Sequence, residues 1–511
     1  MTHLQPQLRP APGRSRVAHA LGGRWTTGIL LAFFALQASF LAVLFRQSIY
    51  DESYHLRAID FFSRQWTPFV DQSADVGGVG DLERYGSYLY HYLMAVPWRL
   101  TSGLADDHRL IVLRLITVGI VVGALAVAHG LARDLGLSPV AANVVLFLLA
   151  ATPLLVFVGA TVNYDNLLLL FVLLMMRAAV RLLTAPRLDP GGWLRLLTWA
   201  SLAAVTKYVA LPLIAVIGLA VLLRQFLVFR RTRGIPGPGQ TTPWYRRPRR
   251  VLAVAATVVS VGLFAERYLV NVLRFRSLQP DCAVIHSASS CATFAPWQRN
   301  AELDAAFADL PIGIGTLTDY IGHSWIPLML RYTTLYGVIG TDGEPLNSLG
   351  PNIGGSVVVV LTIAVLVLLV LGAARILRDW RAATLLLACA GYLGALFAEN
   401  YTAYLALGQP LGIQGRYLLP VLPVVFALAV GTAHRILVAD GAAGRRVGWA
   451  ALAALLLATT QGGGVIGPVA GSDRTWLRET GGAGVYDVLH DLTQGIVVPD
   501  HLVPDPRRPG T

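Results

Sequence analysis

Long apolar runs set the terms on which this chain can fold. The first, Thr26 to Phe45, is followed by runs of similar length along most of the sequence. A hydrocarbon core about 30 Å thick is crossed by about 20 helical residues, and backbone polar groups inside it must be satisfied within the segment itself. Of the 511 residues, 55% are hydrophobic and 14% charged, whereas soluble domains carry about a quarter charged. The expected fold is therefore all-α and polytopic, with about eleven transmembrane helices and two large external loops carrying interfacial helices.

Charge orders these helices. A net charge of +12 in a soluble protein would suggest a nucleic-acid partner. Here the arginines cluster in loops between apolar runs, so the charge reports orientation and no nucleic acid is expected. The basic segment 1–25 (Arg9, Arg14, Arg16, Arg24) is read as a cytoplasmic tail ahead of an uncleaved signal-anchor. The transmembrane domain then covers 26–466, with spans near 26–45, 110–132, 139–160 and 166–183. Two apolar halves, 192–206 and 209–226, form a hairpin hinged at Thr206-Lys207-Tyr208. Later spans are expected near 251–265, 354–374, 383–398, 414–437 and 447–466, with 467–511 as an external tail. Segment 46–109 becomes the first external loop and 266–352 the second. Six spans from a cytoplasmic start bring 227–250, the most arginine-rich loop, back to the cytoplasm, which agrees with the charge rule. Within the first loop, Tyr88 to Leu100 is too short to cross and is read as an interfacial helix with Tyr88, Tyr90, Tyr92 and Trp98 at headgroup level. The protein is thus placed in the cell membrane, with both large loops on the extracytoplasmic face.

The chemistry-bearing stretch is Tyr50-Asp51-Glu52-Ser53-Tyr54-His55, directly after the first apolar run. Carboxylates at a membrane boundary are costly unless they face protein or a water-filled cavity. The same topology puts Asp165, Lys207, Glu266, Arg267, Arg331, Glu399 and Arg416 at the outer ends of spans, in one layer. Gathered together, the cations would hold a lipid phosphate and a carboxylate would accept a proton from an attacking hydroxyl. Each residue also has a plainer reading. Asp51 and Glu52 serve as a polar helix stop, Lys207 and Arg416 as helix-end cations, Asp165 as a helix cap, and His55 as a packed histidine. Lys207 is the only lysine in the chain. Cys282 and Cys291 lie nine residues apart in one polar loop and would form a disulfide in an oxidising compartment, or remain two thiols otherwise. Cys389, inside an apolar run, reads as a small buried residue.

In this order and placement the motifs resemble the GT-C glycosyltransferases, membrane enzymes that use polyprenyl-phosphate sugars. Protein O-mannosyltransferases and the lipid A aminoarabinose transferase are examples. Asp51-Glu52 with Tyr54-His55 is similar to their first-loop acidic motif. Gly86-Ser87-Tyr88-Leu89-Tyr90-His91-Tyr92 is similar to the interfacial helix after it, Thr206-Lys207-Tyr208 to a Thr-Lys turn, and Gly415-Arg416-Tyr417-Leu418-Leu419-Pro420 to the start of a late span. Asn163-Tyr164-Asp165 with Gln414-Gly415-Arg416-Tyr417 also resembles a bacterial group of uncharacterised membrane proteins within the superfamily. The resemblance covers about residues 26–440 and implies a sugar transfer to an envelope glycan, lipid or protein acceptor. It implies Asp51 as general base, Glu52 positioning the acceptor or a metal, and Lys207 and Arg416 facing the lipid phosphate, with His55, Asp165, Arg331 and Tyr417 about the substrate. No Asp-x-Asp motif of metal-dependent members is present, so a divalent metal is left open. A transporter or flippase of lipid-linked sugars is the alternative. It would place polar groups along a path through the bilayer midplane, whereas here they collect at one face.

Overall fold

The computed structural model describes residues 20–46, 51–72, 76–232, 248–307, 310–329, 353–438, 446, 463–466, 469 and 483–497. Among these the regular elements are helices, and no strand is present. In chain order, α1 is Arg24–Leu44, α2 Glu52–Ser63, α3 Leu89–Leu100, α4 Asp106–Asp134, α5 Pro139–Ala150, α6 Pro153–Gly159, α7 Tyr164–Thr184 and α8 Pro190–Thr206. They are followed by α9 Leu211–Thr232, α10 Pro248–Phe264, α11 Ala295–Ala306, α12 Ile314–Asp319, α13 Ile353–Arg378, α14 Trp380–Leu407, α15 Leu422–Val438 and α16 Ala483–Val497.

Among the described residues, seven stretches are long and apolar enough to cross a membrane: α1, α4, α7, Tyr208–Arg231, Pro248–Phe275, Leu361–Arg378 and α14. Sequence reading expected eleven, and the differences have local causes. The expected span 139–160 is a pair of helices, α5 and α6, bent by 67°. Pro153 starts the second helix, where its missing N–H and fixed φ are tolerated. Segment 192–206 is realised as α8, at 17 residues, and Leu422–Ile436 is also a shorter apolar helix. The expected span 447–466 lies outside the described residues except for 463–466.

Two expected exits also move. Glu266-Arg267 does not end a span, because α10 continues through a π-helical segment, Ala265–Leu269, to Phe275. Glu399-Asn400-Tyr401 lies inside α14, which runs on to Leu407 and stops at Gly408 in left-handed backbone. The polar stretch after Asp51, expected as loop, opens with helix α2, whose buried face (His55, Ala58, Ile59, Phe62) packs on α3.

The core is built on α7, which is buried over most of its length and packs against α4 and α8. Helix α1 packs on α4, α10 on α8, and α9 on α14. Outward faces of α9, α10, α13 and α14 expose large apolar side chains, including Leu219, Leu252, Val370 and Leu387. Such faces suit contact with lipid rather than water.

Candidate active site

Asp51 flanks the N-terminus of α2 in left-handed backbone, with φ 57°. Short polar residues tolerate this conformation best, and residues so held cluster at functional sites. The two neighbouring carboxylates then go to different places.

Glu52 points inward and is fully buried. Its oxygens accept from Arg114 Nε at 2.9 Å and Nη2 at 2.5 Å, and Oε1 also accepts the Val162 N–H at 2.7 Å. Arg114 donates further to the carbonyls of Ala42 at 3.1 Å, Phe45 at 2.6 Å and Arg46 at 2.5 Å. The pair therefore ties the end of α1, the start of α2 and the approach to α7 onto α4. This departs from the expected place of Glu52 at the reacting centre; it belongs to the framework beneath it. Arg114 was missed in sequence. A lone arginine in an apolar run needs a partner, and that was the available signal.

Asp51 points outward, with its side chain 51% exposed, and accepts from Arg416 Nη2 at 2.5 Å. Arg416, on the 3-10 turn Gly415–Leu418, is buried. Its Nε lies 3.4 Å from Asp165 Oδ2, and Asp165 Oδ1 accepts from Lys207 Nζ at 2.5 Å. Asp165 and Lys207 are each only 2% exposed. Four residues from four separate segments thus form one line, Asp51–Arg416–Asp165–Lys207, with two positive and two negative charges. The ammonium of Lys207 also lies over the rings of Tyr164 at 4.4 Å and Tyr417 at 4.1 Å, where the negative ring faces attract it.

Local sequence explains these positions. Asn163 caps α7, its side chain accepting the Asp165 N–H at 2.8 Å, so capping falls to Asn163 and the Asp165 carboxylate is left for the cations. Lys207 ends α8 in extended backbone before a 3-10 turn at Tyr208–Ala210. The segment ahead of α3 docks on that break. Tyr88 N–H donates to the Val205 carbonyl at 3.1 Å, and Tyr208 N–H to Ser87 Oγ at 3.1 Å. Gly86 is required by close approach, since a Cβ there would stand 2.6 Å from the Tyr268 hydroxyl.

His55 is buried behind this line. Its Nδ1 is 2.8 Å from His91 Nε2, and its ring meets Tyr164 edge-on at 4.6 Å. Burial, followed by His91, Arg416 and Lys207, holds its pKa well below the ordinary histidine value. Burial likewise lowers His91 to about 3. Both rings are neutral packing partners of Tyr164, not exposed ligands. Burial pushes the Tyr85 hydroxyl up to about 12. Tyr85 was not singled out in sequence, because one tyrosine in a polar loop carries no pattern. Arg331 lies outside the described residues.

The loops form a cover. Cys282 and Cys291 are joined by a disulfide, with Cα atoms 6.0 Å apart. Beside it, Ser290 Oγ accepts the Val76 N–H at 3.2 Å, His286 meets Asp81 at 3.1 Å, and Phe294 packs against Tyr54 with ring centroids 6.0 Å apart. Glu266 and Arg267, expected in the reacting layer, instead clamp the first loop. Arg84 donates to Glu266 Oε1 at 2.9 Å and Asn271 Oδ1 at 2.8 Å, and Arg267 donates to the Tyr85 carbonyl at 2.8 Å. Among the described residues no three His, Cys, Asp or Glu side chains gather as a metal donor set. The divalent metal left open by the sequence therefore finds no such set there.

No protein-family model matches the chain, and no curated protein matches it. Among solved structures it is similar to ArnT from Cupriavidus metallidurans in the apo state, at 14% identity and a TM-score of 0.42 over 80% of this chain. The chain spans 59% of that protein's length. It is also similar to ArnT from the same organism bound to undecaprenyl phosphate, at 14% identity and a TM-score of 0.45, over 92% of this chain and 69% of the other.

Proposed function

We propose that this chain transfers a sugar from a polyprenyl-phosphate donor to a cell-envelope glycan, lipid or protein acceptor on the extracytoplasmic face. The observation that carries this reading is the line Asp51–Arg416–Asp165–Lys207, in which two buried cations end on one half-exposed carboxylate. Buried cations are costly to maintain, and a lone structural pair would need only one. Arginine's fixed fork and the lysine ammonium together suit a phosphate oxygen cluster.

The four charges already cancel, so an incoming phosphate must replace a carboxylate. Asp51 is the one that can leave, because it alone of the two faces solvent. The donor phosphate takes its place on Arg416, and Asp51 is released beside the bound headgroup. The acceptor oxygen then attacks the anomeric carbon with inversion, its proton passing to the Asp51 carboxylate. The bond from the anomeric carbon to the phosphate oxygen breaks, and polyprenyl phosphate departs with the electron pair, stabilised by Arg416 and Lys207. Asp165 keeps the two cations apart and charged.

The test is transfer of a radiolabelled sugar from a panel of polyprenyl-phosphate donors by membranes carrying wild-type protein or Asp51→Asn, with and without chelator. Label in product from wild type only is the expected result. Full turnover by the Asn variant would remove Asp51 as base, and no turnover or lipid binding with any donor would overturn the reading.

A further inference from the structure

One polar group beside the ionic line is not used by this mechanism. Glu399 lies within α14, one of the seven candidate spans, yet is exposed. A carboxylate in such a helix is costly unless it faces protein or a water-filled cavity. Its Oε1 accepts the Tyr208 hydroxyl at 2.7 Å, and it has no other hydrogen-bond or ion-pair partner among the described residues. Tyr208 follows Lys207 directly in the chain, and its ring meets Tyr85 edge-on at 6.5 Å. Tyr85, Tyr208 and Tyr417 are half-buried, each with surface left open. The break at Lys207 therefore carries a cation on one side and an aromatic wall ending in a carboxylate on the other.

A sugar phosphate has the matching order. Its ring begins one bridging oxygen from the phosphorus, so a phosphate on Lys207 and Arg416 leaves the ring within reach of the next residue. A pyranose or furanose offers a C–H face to aromatic rings and hydroxyl donors at its edge. A carboxylate only accepts hydrogen bonds, so the free capacity of Glu399 calls for a donor-rich ligand. We infer that Tyr85, Tyr208 and Glu399 form the subsite for the donor's sugar ring, with Glu399 accepting from ring hydroxyls. This rests on the proposed function, because it takes the phosphate position from it.

The experiment measures binding by the full chain in nanodiscs. Probes are bare undecaprenyl phosphate and undecaprenyl phosphate carrying each of a panel of neutral hexoses and pentoses. A site that hydrogen-bonds a ligand hydroxyl discriminates strongly against a ligand lacking it, so at least one sugar-bearing lipid should bind wild type about tenfold or more tighter than the bare lipid. Glu399→Gln should cut that preference to about threefold or less and leave bare-lipid affinity within about twofold, since a charged acceptor is lost but no phosphate contact. Tyr208→Phe keeps the ring and should fall between, giving a second reading where the glutamine variant does not fold. An unchanged preference in both variants, or equal weakening of both lipids, would overturn the subsite. Wild type binding bare lipid with no preference for any sugar would also overturn it while sparing the proposed function; binding neither lipid would overturn that function itself.

Discussion

Two arginines, Arg114 and Arg416, each hold one of two adjacent carboxylates, and their surroundings differ in kind. Arg114 meets Glu52 with both partners buried, and its other donors go to backbone carbonyls. Neither of the two charged side chains faces water, so the pair has no wet end to exchange. Arg416 is as deeply buried, but Asp51 is half exposed and the other carboxylate near it is shared with Lys207. A saturated, dry ion pair fixes chain segments; a pair with one wet end can trade that end for a ligand. The difference separates architecture from chemistry across one peptide bond.

The sharpest way to break this comparison is to neutralise each carboxylate in turn. Asp51→Asn should lower transfer by about 10²–10⁴-fold, the range for a lost general base, with a smaller loss of melting temperature than Glu52→Gln, because Asp51 is half exposed. Glu52→Gln leaves the Arg114 guanidinium buried and under-compensated, which costs about 3–5 kcal/mol and should appear as a large drop in melting temperature or failure to accumulate. The reverse pattern would exchange the two roles.

Next in size are the cations. Lys207→Met and Arg416→Lys should each weaken bare undecaprenyl phosphate binding by about tenfold to a hundredfold, since each removes charged hydrogen bonds to phosphate. Titrating the lipid against the solubilised variants measures this. Equal loss in an Arg114→Lys variant that still folds would blur the distinction between the two arginines.

A smaller effect concerns pH. His55 and His91 are held neutral, with folded pKa values below the unfolded histidine value of about 6.5. As pH falls through about 6.5 the unfolded chain takes up protons that the native rings refuse, so stability declines. The decline should continue toward His91's folded value of about 3. Melting temperature between pH 7.5 and 5 should fall, and His91→Asn should flatten the slope. The smallest expected change is from replacing Cys282 and Cys291 together with serine. A disulfide closing a short loop stabilises by about 2–3 kcal/mol at most. The bridge packs with Val76, Phe294 and Trp297, none of them in the ionic line, so transfer should fall by less than about tenfold, read from kcat/KM with and without reductant.

Much of the site was legible in sequence because membrane boundaries are expensive places for charge. Asp51, Asp165, Lys207 and Arg416 stood out against apolar runs, and they are the four residues that meet. What failed were inferences from position alone. Glu266, Arg267 and Glu399 were placed at helix ends by where polar residues begin, yet the helices continue past them. A helix with tertiary support carries single polar residues without ending, so the boundary was not where polarity said. His55 beside Asp51-Glu52 looked like part of one acidic motif, but His55 shares the buried face of α2 with Glu52, three residues before it, while Asp51 stands ahead of the helix in left-handed backbone.

By itself the sequence determined the helical membrane class and the identity of the charges, because hydropathy and desolvation cost are properties of residues. Which carboxylate is architectural and which is available for exchange was decided only by the tertiary structure. That outcome depends on Arg114 and Arg416, 62 and 365 positions away from their partners, and on the left-handed backbone of Asp51 itself, whose carboxylate faces water while Glu52 is sealed beneath it.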